Sequence, residues 1–408
     1  MNRVDALPTS SVAAIPSLTP AHPEWRDRVA ETCFTLASIL TDPACKVREY
    51  FRRITVVDTL HPTDSKMANL ARKLSLTFSM GGYAGLAVVT TPPSFVLRAL
   101  ATHLEREPFL SLTTGEEGKT LPPDTSFSLY SWNVCCIGGG YSITDGGVVP
   151  SPERIDEIIE KIIRQDADVN CLYEVFDIQT AHRIAEKLKN HGYSEFYFNI
   201  GKPTMYGLTS GILVASKYKI QKPEFTAFPK DMLVGRTKNV AKGVFAFDLD
   251  SQGHSFARIH ATHLQHSEQP ISPTKDELAA RKRQMELIVE KIKTVRDRSI
   301  VVTGDLNLDD REYQSSSWNS LFQKGDRYQG FTWGGDAFCA RLVGKPVSGP
   351  LNLDHTMIVS GTAQAISTSL VDTGYNPEVF TQEALSDHLG LFSTITVERP
   401  ETSLLGPR

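Results

Sequence analysis

"VVTGDLNLDD", Val301 to Asp310, is the stretch from which the rest of the chain is best read. Val301, Val302 and Thr303 run into Gly304, and then Asp305 and Asn307 stand two positions apart. The pattern predicts a buried strand whose end emerges into polar surroundings. In extended backbone, residues i and i+2 share a face, so this acid and this amide can address one ligand together. Asp309 and Asp310 add two further acids. Alone, such a run could end a strand in any α/β protein.

The neighbouring stretches follow the same rule. "SFSLYSWNV" (126–134) predicts a strand ending at Asn133, and "ADVNCLYEVFD" (167–177) predicts one with Glu174 near its end. Ser151 can cap a helix with Pro152 at its first position. Ile155, Ile158, Ile159, Ile162 and Ile163 then form one apolar stripe. "GILVASKY" (211–218), "KGVFAFDL" (242–249) and "SFARIHATHL" (255–264) predict three more strands. A charged helix is expected at about 275–294, with Leu278, Met285, Ile288, Val289 and Ile292 inward. "LDHTMIVS" (353–360) and "LGLFSTITV" (389–397) complete the set. Hairpin-like strand pairs mixed with helices predict an α+β chain. Two mostly antiparallel sheets pack face to face, covered by helices, as a four-layer α/β sandwich.

Eight polar side chains mark where these apolar runs begin or stop: Asn133, Glu174, His263, Asp305, Asn307, Asp354, Asp387 and His388. Each has a structural explanation by itself. Asn133 can cap a turn, His263 can be a satisfied core histidine, and Asp387 can cap a strand start. Together they are a candidate site, because strand ends of a sandwich converge on one rim. Unpaired, such a cluster repels itself and resists desolvation. A divalent cation would relieve both costs, and oxygen ligands without thiolates point to magnesium, manganese or calcium.

Composition limits the alternatives. The 408 residues are 40% hydrophobic and 22% charged, an ordinary globular balance. The net charge of −4 gives no overall basic field for nucleic acid. Cysteines at 33, 45, 135, 136, 171 and 339 include no CxxC pair, and buried free thiols are expected, as suits a reducing compartment. "GEEGKT" (115–120) imitates a phosphate-binding loop, but Thr113 stands where that motif needs glycine, and Pro122-Pro123 follow. The amino-terminal twenty residues lack the apolar core of a signal peptide. The expected location is cytoplasmic or peripheral at a membrane, with export by a route needing no cleavable signal still open.

Upstream of residue 125 the pattern changes. "WRDRVAETCFTLASIL" (25–40) predicts a helix, and 113–126 a linker. Leu74–Leu97 runs 24 residues without a charge, flanked by Arg72, Lys73 and Arg98. Its length could cross a bilayer. Pro92-Pro93, glycines and hydroxyls dilute it, so a buried hairpin or a segment dipping into a membrane interface is the expectation. The expected organisation is an N-terminal helical, membrane-associating region at 1–124, a catalytic domain at 125–398 and a tail at 399–408.

"SWNV", "LYEVFD", "GILVASKY", "ATHLQ", "TGDLNLD", "LDHTMI" and "SDHLGL" occur in an order that resembles the endonuclease/exonuclease/phosphatase superfamily, the DNase I-like fold. Within it, "EVFD", "THLQ" with Gln265, "KG" at Lys242-Gly243, "RKRQMELI" (281–288) and "FTWGGDAF" (331–338) look like the neutral magnesium-dependent sphingomyelinases. The inositol polyphosphate 5-phosphatase and apurinic endonuclease branches match less well. The family usually places glutamine before the metal glutamate; here Tyr173 stands there, which puts local geometry in question. The resemblance implies a phosphodiesterase releasing phosphocholine and ceramide from sphingomyelin. Glu174, Asn133 and Asp387 would hold Mg²⁺ (or Mn²⁺). His388 would be the general base, Asp354 its orienting partner, Asp305 and Asn307 the positioners of water and a phosphoryl oxygen, and His263 a hydrogen-bond donor to the reacting phosphorus centre. A phospholipid at a membrane surface is the implied substrate partner, nucleic acid or a phosphoinositide the alternative, and a non-catalytic binding module the remaining reading.

Overall fold

Strands that are apolar on both faces must be covered on both faces, and this requirement organises the molecule. The computed structural model describes residues 18–20, 25–121, 126–137, 151–203, 208–295, 298–325, 330–333, 350–372 and 385–397. The chain begins with β1 (Thr19–Pro20), α1 (Trp25–Leu60), α2 (Lys66–Leu104), β2 (Leu110–Thr113) and β3 (Ser126–Asn133). Then come α3 (Ser151–Gln165), β4 (Val169–Tyr173), α4 (Ile178–Leu188), β5 (Glu195–Phe198), β6 (Leu213–Ser216) and β7 (Lys219–Ala227). The rest is β8 (Gly243–Ser251), β9 (His254–His263), α5 (Lys275–Ile292), β10 (Ser299–Asp305), α6 (Asp310–Gln314), β11 (Phe322–Lys324), β12 (Asp354–Val359), β13 (Ala365–Val371) and β14 (Gly390–Thr396).

One sheet has the order β1-β2-β5-β6-β4-β3-β14-β13, the other β11-β12-β10-β9-β8-β7. Pairing is antiparallel except at β3–β4 and β9–β10. Leu129, Val169, Cys171 and Val214 from the first sheet meet Phe245, Phe247, Ile259 and Val301 from the second in one buried core. The outer face of the first sheet buries the isoleucine stripe of α3 (Ile155, Ile158, Ile159, Ile162) and the apolar face of α4. The outer face of the second is closed by Met285, Ile288 and Ile292 of α5. These are the four layers of an α+β sandwich.

α5 departs from the expected stripe. Its C-terminal half is apolar inward, but its N-terminal half buries Glu277, Arg281 and Gln284, while Leu278 is only half-buried. Arg281 is held by Glu312, the Gln265 carbonyl and the Ser267 hydroxyl, so its burial is compensated.

The segment 74–97 is neither a hairpin nor buried: it is the middle of the unbroken helix α2. α2 runs beside α1, with Tyr50 stacked on Tyr83 at 5.4 Å. α1 in turn docks on the sandwich through a hydrogen bond from the Ser38 hydroxyl to Asp177 and ion pairs of Glu31 with His182 and Arg53 with Glu153. Helical spacing explains the correction. Asn69, Lys73, Leu76, Met80, Tyr83, Ala87, Thr90, Ser94, Leu97 and Ala101 recur every three or four residues and form the partly covered side. Met67, Leu70, Leu74, Phe78, Val88, Val96 and Leu100 recur on the opposite side, where Phe78 is 86% and Val88 76% exposed. Pro92 and Pro93 lie in the helix but are exposed, and the Ser94 hydroxyl takes up the Thr91 carbonyl. Upstream residues also reach the larger sheet, since β2 pairs antiparallel with β5 and β1 with β2.

Candidate active site

Strand register assembles the centre of the site. Asp305 ends β10 and stands directly between two partners: His263 across the parallel pairing with β9, and Asp354 across the antiparallel pairing with β12. Gly304 permits this approach, because a Cβ there would fall 1.8 Å from the Thr262 carbonyl oxygen. His263 Nε2 lies 3.3 Å from Asp305 Oδ2 and 4.0 Å from Glu174 Oε1. Asn307 follows with a left-handed backbone (φ 52°), and its N–H bonds Asp305 Oδ1 at 3.1 Å.

The other sheet supplies the facing side. Asn133 ends β3, and its amide nitrogen donates to Asp305 Oδ2 at 2.9 Å and Glu174 Oε1 at 3.2 Å. Its side-chain oxygen Oδ1 accepts the Cys135 N–H. Asn133 thereby ties together carboxylates from both sheets. Glu174 follows β4 at φ 63°, a conformation costly for a side chain with a Cβ. The Val175 N–H bonds the Gly211 carbonyl, and Gly211 packs so close that a Cβ there would sit 3.0 Å from the Glu174 Cα. Tyr173, standing where glutamine was expected, is fully buried and donates its hydroxyl to the Thr303 carbonyl at 3.0 Å. The substitution thus braces β4 against β10.

His388 is fixed on several sides. Nδ1 is 2.7 Å from Asp354 Oδ2, and Nε2 points toward Asp305 Oδ2 at 3.8 Å. Its N–H bonds the Ser386 hydroxyl, which donates to the Asn133 carbonyl, and its own carbonyl accepts the Trp132 indole N–H. Thr332, from the expected "FTWGGDAF" segment, accepts the N–H groups of Leu353 and Asp354. Residues 334–338 of that segment, and Cys339, lie outside the described residues. Cys33, Cys135, Cys136 and Cys171 are buried thiols, and Cys45 is half-buried.

The electrostatics are those of a dry, charged cluster. Burial, with the neighbouring Asp387 charge, pushes the Glu174 carboxyl up to about 7. Burial raises Asp354 to about 6. For His388, burial opposes the charged form, but Asp354, Asp305 and Asp387 overcome it and hold the imidazole well above its ordinary value. Burial and the Lys242 charge drive His263 the other way. Lys242 was legible only as part of a resemblance. It is buried, donates to the Leu264 carbonyl, and is brought down to about 8 by burial.

All eight expected residues therefore gather at one rim. Glu174, His263 and Asp305 offer donor atoms within 4.8 Å of one another, as do Asp305, Asp354 and His388. The buried His263 Nδ1 and Asp354 Oδ1 have no hydrogen-bond partner among the described residues. This oxygen-rich, thiolate-free donor set fits a hard divalent cation. Asp387 lies close enough for its charge to act on Glu174 and His388.

Residues 130–388 match the Endonuclease/Exonuclease/phosphatase family. The chain belongs to that family. The family is hydrolytic. No curated protein matches the chain. Among solved structures, SmcL is 21% identical with a TM-score of 0.52, covering 66% of this chain and 99% of its own. Sphingomyelinase C from Streptomyces griseocarneus is 19% identical, with a TM-score of 0.53 and the same coverage. Beta toxin from Staphylococcus aureus, solved with bound magnesium ions, is 18% identical with a TM-score of 0.54, covering 66% of this chain and 99% of its own. At these identities the likeness establishes the shared fold.

Proposed function

We propose that this family member is a Mg²⁺-dependent phosphodiesterase, with Mn²⁺ as a substitute, that hydrolyses sphingomyelin to ceramide and phosphocholine at a bilayer surface. In this reading residues 125–398 are the catalytic unit, and residues 1–124 hold it peripherally on the membrane.

The reaction rests on the His388–Asp354 pair facing Asp305 and Glu174. His388, oriented through Nδ1 by Asp354, takes the proton of the attacking water at Nε2. Asp305 and Asn307 position that water and a phosphoryl oxygen. Asn133 holds the Glu174 and Asp305 carboxylates in place through its amide nitrogen; Glu174 and Asp387 would hold the ion, joined by Asn133 once its amide turns its oxygen toward them. When bound, the ion supplies charge relief at the phosphoryl oxygens and offsets the carboxylates that keep His388 charged. His263, kept neutral by burial, donates a hydrogen bond to the reacting phosphoryl group. The water-excluding rim strengthens each of these contacts.

The single observation that carries a lipid over a nucleic acid is the outward apolar stripe of α2. α2 contains no acid, but its Arg72 pairs with Asp64 and its Lys73 with Asp58, so the apolar stripe rather than charge carries the membrane reading. Phosphocholine release from sphingomyelin vesicles, run beside plasmid DNA nicking with Mg²⁺ or chelator, tests the reading. Lipid turnover that vanishes on chelation supports it; turnover of DNA alone overturns it.

A further inference from the structure

Between the helical hairpin and the catalytic rim lies a cavity of about 690 Å³, within the size range of small-molecule sites. α1 and Arg98 of α2 form one wall, the first residues of α3 and α4 another, and Leu208 and Thr209 a third. Three observations define what it can hold. Phe34, Ile39, Ile155, Phe176, Ile178 and Leu208 make much of its lining apolar. Its charged groups balance: Lys46, Arg98 and Arg183 are matched by Asp42, Glu49 and Asp177. Lys46 pairs with Glu49, Arg183 with Asp156, and Asp177 caps α4. Lastly, Thr209 is only 6% exposed, and its hydroxyl, at the lining, has no hydrogen-bond partner among the described residues.

The placement gives the cavity a purpose. Thr209 is two residues from Gly211, which packs on Glu174 and Phe176, and Phe176 and Asp177 stand two and three residues after Glu174. One end therefore adjoins the proposed ion site. The other reaches Arg98, which lies on the covered side of α2 with Ser94, Leu97 and Ala101. A charge-balanced space, apolar over much of its lining and with the Thr209 hydroxyl and Asn199 amide nitrogen unpartnered among the described residues, suits an amphiphile whose polar linkage lies near the scissile bond. A charged ligand such as a nucleotide would meet no net opposite charge.

Building on the proposed lipid hydrolysis, we propose that this cavity receives one hydrocarbon chain of the substrate, with the Thr209 hydroxyl bonding the amide or hydroxyl of the lipid backbone. The enzyme thus draws part of the lipid out of the bilayer and holds it between hairpin and rim.

The test uses the full chain with Mg²⁺ and three variants: Ile39→Trp and Gln179→Trp to fill the cavity, and Thr209→Val to remove the hydroxyl. Kinetics are read on long-chain and short-chain sphingomyelin in detergent micelles and on chainless bis(p-nitrophenyl) phosphate. Excluding about two methylenes from burial is expected to raise KM for the long-chain lipid about tenfold. Thr209→Val is expected to raise it about threefold, the size of one neutral hydrogen bond. Turnover of the chainless ester stays at the parent rate. Equal KM changes for long and short chains overturn the assignment. So does loss of chainless turnover in filled variants with an unchanged thermal midpoint. Should the filled variants not fold, the parent alone decides: saturable binding of a fluorescent ceramide is required, and its absence overturns the proposal. Ceramide binding without hydrolysis of any phosphodiester would instead sink the proposed function and leave the cavity assignment standing.

Discussion

The rim and the hairpin invert one another. At the rim, Asn133, His263, Asp305, Asp354, Asp387 and His388 are buried polar groups, against the usual sorting of residues. On α2, Leu74, Phe78, Val88, Val89 and Val96 are exposed apolar groups. Neither arrangement stabilises a fold by itself. Buried carboxylates cost desolvation and repel, and a long apolar stripe in water is an association surface. The difference accords with the proposed function, in which the rim addresses a cation and a phosphate and the hairpin addresses hydrocarbon.

The comparison can be broken most sharply at the rim. His388→Ala and Asp305→Ala are each expected to lower kcat by ~10³-fold or more while the variant stays folded, since positioned acid–base groups contribute on that scale. Full activity in either folded variant would remove the assigned roles. Chelation should bring phosphodiester turnover to background and lower the thermal midpoint, and Mg²⁺ or Mn²⁺ should restore both. Glu174→Gln should blunt the thermal response to the ion, which separates binding from catalysis; an undiminished response contradicts its role as ligand.

The hairpin offers smaller effects. Phe78→Asp with Val88→Asp should weaken binding to anionic vesicles by about tenfold or more, because a buried apolar side chain is worth roughly 1.5–3 kcal/mol. The chainless ester should be hydrolysed at the parent rate; unchanged vesicle binding would end the membrane role of α2. The smallest effect is expected where the hairpin joins the sandwich. Burial raises the Glu105 carboxyl to about 8, with Lys202 opposing that shift. Its folded value exceeds its unfolded one, so the folded state binds the extra proton and stability falls as pH rises from the ordinary carboxylate range toward 8. Glu105→Gln should flatten that fall, seen as a higher thermal midpoint at pH 8 than the parent's and little difference at pH 4.

Much of this was legible because the core strands are short apolar runs ending in one polar residue. β3, β9, β10, β12 and β14 were placed within a residue or two of their observed ends, while the run read for β4 overshoots Tyr173 by four residues, to the Asp177 cap of α4. β2, β5, β7 and β13 gave no such signal: β2 and β5 are four residues each, and β7 and β13 are largely uncovered. The inward polar half of α5 was hidden for a related reason, since Arg281 is paired by Glu312 from a distant segment. α2 was misread because its glycines and prolines signal turns locally, while its continuity depends on a partner helix. At the rim, which residues converge could be anticipated, but not that Asn133 would offer its amide nitrogen to two carboxylates, nor that Tyr173 would brace β10.

The crosswise row His263–Asp305–Asp354 has one more consequence. Its spacing is written into backbone pairing of three adjacent strands, so it exists as soon as that part of the ladder closes, before any ligand arrives. Amide hydrogen exchange along β10 should then be among the slowest in the molecule already without cation, and added cation should slow it further only through the stability of the whole fold. Catalytic alignment here is inherited from weaving rather than from fit.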